Sequence, residues 1–113
     1  QGVYTQKIVN VAVTNSCFSN TAYNAIAIQD GEKSCSHGAV VITGNKFDKI
    51  GADVIRFGCP GADTQITIKN NKATDTASDR QAIRAESLVD GITYDISGNK
   101  WNGAGVSHDL FKD

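Results

Sequence analysis

Arg56 and Arg84 carry the most specific chemical suggestion in this chain. They sit in matching frames, VIRF and AIRA, 28 residues apart by subtraction. A strand that buries Ile55 and Phe57, or Ile83 and Ala85, turns the arginine between them outward. If those strands are neighbours, about 4.8 Å apart, two like charges stack side by side and need acidic neighbours or an anionic ligand. Glu86 lies two residues past Arg84 on the same face, and Asp53 and Asp109 stand at or near the start of equivalent strands. One reading is a surface ladder of ion pairs. Another is a pair of guanidinium forks that bind carboxylates or sulfates. A third is acid–base catalysis, with Asp53 and Glu86, or Glu86 and Asp109, as the candidate catalytic carboxylates on adjacent strands.

The elements that must hold these side chains repeat along the chain. Val40 to Phe57, VVITGNKFDKIGADVIRF, alternates at Val40 and Ile42, bends at Gly44-Asn45, turns Phe47 inward, crosses a polar loop and resumes alternation at Ile55 and Phe57. VAVTNSCF from Val11, ITIKNNKA from Ile66 and YDISGNKW from Tyr94 lie on the same frame, with steps of 29, 26 and 28 residues by subtraction. The bend opens on Asn15, Gly44, Asn70 or Gly98, the residue types that tolerate a left-handed backbone. The next position holds Ser16, Asn45, Asn71 or Asn99, and a stacked column of Asn45, Asn71 and Asn99 satisfies polar groups buried at the corner. Phe18, Phe47, Ala73 and Trp101 then face inward. Four copies at this period imply an all-β solenoid occupying residues 1–113 as a single domain, with about four coils starting near Val11, Val40, Ile66 and Tyr94.

The run I-x-I-x-(G/N)-N-x-(F/W), followed after a variable loop by A-I-x-I or V-I-x-F, resembles the right-handed parallel β-helix of the pectin lyase-like superfamily, from Val9 to Phe111. That superfamily includes polysaccharide lyases, glycoside hydrolases, epimerases and phage tailspikes. The resemblance implies that AIAIQ, VIRFG, AIRAE and DLFKD are the strands lining a substrate cleft, with Ile26, Ile55, Ile83 and Leu110 inward and Ala27, Arg56, Arg84 and Phe111 outward. It implies an extracellular or virion-surface protein that binds or cleaves a polysaccharide, with Arg56 and Arg84 as substrate-binding residues. A lyase would neutralise a uronate carboxylate and remove the neighbouring proton. A hydrolase would use two carboxylates about 5 to 9 Å apart. Neither adjacent aspartates on a cleft strand nor an Arg-Ile-Lys triplet is present. The alternative is a structural or receptor-binding shaft without catalysis of its own.

Composition bounds the partners. With a net charge of −1, no basic excess draws the chain to nucleic acid. No apolar run reaches membrane-spanning length. No cofactor is expected, and neither His37 nor His108 has metal-ligand partners at the right spacing. Cys35 and Cys59 follow the final strands of adjacent coils, where a disulfide fits, and Cys17 beside Phe18 reads as a free, partly buried thiol. Trp101 reads as a core or end-covering residue, and outward Phe111 as either a cap contact or a sugar platform. Neither end offers a cap for an open stack of strands. The expected partners are therefore further coils of a longer helix, a second chain or copies of this one, besides a polysaccharide or oligosaccharide. The opening at Gln1 is consistent with a processed or truncated product.

Overall fold

The computed structural model describes residues 2–6, 10–29, 38–77 and 79–113. In chain order the strands are β1 (Val3–Gln6), β2 (Asn10–Thr14), β3 (Cys17–Thr21), β4 (Ile26–Gln29), β5 (Ala39–Thr43) and β6 (Lys46–Ile50). They continue as β7 (Ile55–Phe57), β8 (Gln65–Lys69), β9 (Lys72–Thr74), β10 (Gln81–Ala85), β11 (Thr93–Ser97) and β12 (Gly105–Val106), and a 3-10 turn follows at Asp109–Phe111. Each turn of the chain deposits one strand on each of three sheets, ordered β1-β4-β7-β10-β12, β11-β8-β5-β2 and β3-β6-β9. The result is an all-β solenoid of parallel sheets with three full turns and part of a fourth.

The register follows the sequence repeat. Val11, Val40, Ile66 and Tyr94 stand in one column, and Val13, Ile42, Ile68 and Ile96 in the next. Ile26, Ile55 and Ile83 stack in the five-stranded sheet and are fully buried. Burial of each contributes about 2 kcal/mol. Phe18 stacks on Phe47 with ring centroids 5.4 Å apart. Ala73 follows Phe47 in register, and its small side chain lets Phe47 meet Trp101 at 6.4 Å.

The corners explain the alternation of Asn and Gly in the bends. Asn15, Gly44, Asn70 and Gly98 all have positive φ, at 49°, 69°, 58° and 69°. A Cβ added at Gly44 would run into Oδ1 of Asn15, and one at Gly98 into Oδ1 of Asn70. Each Asn side chain thus occupies the space that its glycine neighbour leaves open. One position further, Asn45 donates from its backbone N–H and from Nδ2 to Oδ1 of Asn71, both at 3.0 Å, and Asn71 does the same to Asn99 at 3.0 and 2.9 Å. The second Nδ2 donor of each reaches back to a strand carbonyl: Val13 from Asn45, Ile42 from Asn71 and Ile68 from Asn99, at 2.8–2.9 Å. Ser16 N–H donates to Asn45 at the head of the column. Amides buried this deeply remain stable because every polar valence finds a partner.

Three expectations are corrected near the C-terminal end. The DLF segment is a 3-10 turn rather than the expected strand, and Gly105–Val106 takes that place beside β10 in the five-stranded sheet. A tight turn at Asn102 and Gly103, both with positive φ, brings the chain back to the sheet early. Inward and outward roles are therefore exchanged: Leu110 is 56% exposed and Phe111 is fully buried. Phe111 stacks on Phe57 at 5.9 Å and meets Tyr94 edge-on at 5.8 Å, so it covers the core as a cap. Asp113 completes that cap. Its carboxylate accepts from the Asn99 backbone N–H at 2.8 Å and from Asn99 Nδ2 at 3.0 Å, the role that the next Asn plays elsewhere in the column.

Candidate functional site

Strands β7 and β10 pair Ile55 with Ile83, Arg56 with Arg84 and Phe57 with Ala85, so the apolar residues anchor both strands while the two arginines share the outer face. Ala27 on β4 continues their column and is buried. The charges pair across strands. Arg56 Nη2 donates to Glu86 Oε1, and Arg84 Nη1 lies 3.6 Å from Asp53 Oδ2. A guanidinium has five N–H donors, and these contacts use few of them. Arg56 Nε is buried without an acceptor, and the contact of Arg84 is an ion pair longer than a hydrogen bond.

The three candidate carboxylates occupy different environments. Asp53 precedes β7, and its side chain is only 4% exposed. Its Oδ1 accepts from the Gln81 backbone N–H at 2.8 Å, and its backbone carbonyl accepts from Asn24 Nδ2 at 2.8 Å. Asn24, Asp53 and Gln81 thereby form a second polar column at the entrance to the five-stranded sheet. Glu86 is exposed on the arginine face. Asp109 stands in the 3-10 turn rather than at a strand start, is exposed, and pairs with Lys112 at 3.0 Å. The fold brings Asp53, Arg56, Arg84 and Glu86 together and puts Asp109 on the capping turn.

Burial raises the Tyr94 phenol above its ordinary value of 10.0, and among the described residues its hydroxyl has no hydrogen-bond partner. Among the described residues no group of three or more His, Cys, Asp and Glu side chains could hold a metal ion. None of their helices is long and apolar enough to cross a membrane. Cys59 is disulfide-bonded, and Cys35, its expected partner, lies outside the described residues, as does His37. Cys17 is free but exposed rather than partly buried, because its side chain points away from the core that holds Phe18.

A second charged face went unnoticed in the sequence. On the outside of the three-stranded sheet, Cys17 pairs in register with Lys46, Lys46 with Lys72, and Lys72 bridges to Lys100. The signal was present in the repeat itself, where the residue after the Asn column is lysine in GNK, NNK and GNK. Compared with known protein families, curated proteins and solved structures, the chain matches none.

Proposed function

We propose that this chain is a β-helical segment of an extracellular carbohydrate-active protein and binds an acidic polysaccharide along the outer face of the five-stranded sheet. The observation that carries this reading is the in-register pair Arg56 and Arg84, each of which meets a single carboxylate among the described residues. Parallel strands repeat a side chain at a spacing of about 4.8 Å, comparable to the rise of one sugar ring, and a uronate carboxylate suits a planar guanidinium fork. The resemblance to the pectin lyase-like superfamily supports the same face. The disulfide at Cys59 supports an oxidising compartment.

Binding is the part of the activity that these residues support best. Asp53 is committed to Gln81 and Arg84, and Asp109 to the capping turn. Cleavage by a lyase or hydrolase would draw on residues of further coils or a second chain. The reading of a shaft without catalysis is favoured by the carboxylate partner that each arginine already has. Titration with uronate oligosaccharides and their neutral counterparts separates these readings. Selective binding of the uronate form, weakened in Arg56→Gln/Arg84→Gln, is the expected result. Equal affinity for both forms would sink it, and release of reducing ends or unsaturated uronates would add catalysis.

A further inference from the structure

From the lysine column on the three-stranded sheet we infer a second, separate binding face, a rail for a linear acidic glycan formed by Lys46, Lys72 and Lys100. It does not depend on the arginines. The three residues occupy one outward position on successive rungs, and all three are exposed. Like charges directly opposite one another on neighbouring strands oppose pairing, and a sequence under no other demand would place an acid among them. The chain does so elsewhere: Lys69 meets Asp95 one rung away, and Lys112 meets Asp109. Among the described lysines Lys46, Lys49, Lys72 and Lys100 have no carboxylate partner, and three of these four form the column.

A groove of about 310 Å³ runs beside the column, lined by Lys46, Lys72, Cys17, Ser19, Asp48 and Thr74 among others. Its far wall is polar, and there the Thr74 hydroxyl donates to Asp48 Oδ1 at 2.8 Å. The surface thus offers ammonium groups on one side and hydroxyl and carboxylate acceptors on the other. A chain of hydroxylated rings with one negative charge per ring complements both sides. Nucleic acid fits less well. Phe18 and Phe47, which also line the groove, are stacked on one another toward the core, so neither offers a free ring face to a base.

The test is made in the full 113-residue chain carrying Arg56→Gln/Arg84→Gln, so that the other face is silent. A labelled oligo-uronate long enough to span three rungs is expected to bind this variant at low salt. Addition of Lys46→Gln, Lys72→Gln and Lys100→Gln should weaken it by on the order of tenfold, the sum of three exposed ion contacts. Cys17 supplies a local readout, because a glycan seated on the rail should slow modification of this exposed thiol by an anionic disulfide reagent. Absence of binding in the arginine-free background, or affinity unchanged by the lysine substitutions in a chain with native circular dichroism, overturns the rail. Equal affinity for a single-stranded DNA of matching charge overturns the glycan assignment. If the arginine substitutions alone leave total binding unchanged, the arginine face fails and the rail stands.

Discussion

The two outer faces are built by the same device and end in opposite electrostatic states. On the five-stranded sheet the repeat stacks Arg56 on Arg84, and each meets a carboxylate, Glu86 or Asp53. On and beside the three-stranded sheet it stacks Lys46, Lys72 and Lys100, and among the described residues none of these meets one. A solenoid copies residue types down a column, so compensation must come from a neighbouring column or from a ligand. The arginine face has acids at the strand entrance and exit that reach its guanidinium groups, whereas the lysines follow an asparagine corner and the acid on their face, Asp48, is bonded to Thr74 instead. The difference therefore lies in what flanks each charge, and substitutions at the flanks should convert one face into the other.

The largest expected effect breaks the corner on which the lysine face hangs. Asn71→Leu strands the two Asn45 donors that meet its Oδ1 and removes the donor to the Ile42 carbonyl, and should cost about 3 kcal/mol or more in urea unfolding. Next comes Asp53→Ala, which removes the acceptor for Gln81 N–H and the partner of Arg84, with an expected loss of about 2 kcal/mol in the same assay. Asp53→Asn sharpens the contrast. It can keep the Gln81 hydrogen bond while freeing Arg84, so stability should fall by less and affinity for uronate oligosaccharides should rise. In the opposite direction, Lys72→Glu installs the missing acid and should raise stability by about 0.5 kcal/mol while weakening binding at the rail several-fold.

The smallest effect concerns Tyr94, which is a shared core residue and belongs to neither face. Because burial raises its pKa in the folded state, the unfolded chain loses this proton first as pH rises above 10.0. Stability from this group is therefore complete below that value and declines above it. Tyr94→Phe should remove this component of the alkaline decline and, by deleting a buried hydroxyl without a partner, leave stability at neutral pH unchanged or slightly higher. Thermal melts across the alkaline range would show whether the two chains diverge only there.

Much of the frame was legible because it depends on local rules. Asn15, Gly44, Asn70 and Gly98 announce left-handed corners through backbone chirality, and the alternation around Ile55 and Ile83 announces which residues face out. The capping turn was not legible, because DLFKD carries the same apolar spacing as a short strand. Only the early return at Asn102-Gly103, which lets the chain come back over Phe57, makes Phe111 the inward residue.

By itself the sequence determined the repeat, the three sheet positions, the asparagine column and the outward direction of Arg56 and Arg84, since each follows from a period of two residues or from a preferred bend. Tertiary structure alone decided which charges meet. It buried Asp53 against Gln81 and Arg84, sent Asp109 to the capping turn, set Asp113 against Asn99 as a further rung of the column and, among the described residues, left three lysines in line without carboxylate partners. The physical reason is that ion pairing and end-capping depend on distances between residues on different rungs. Those distances exist only once the coils have stacked.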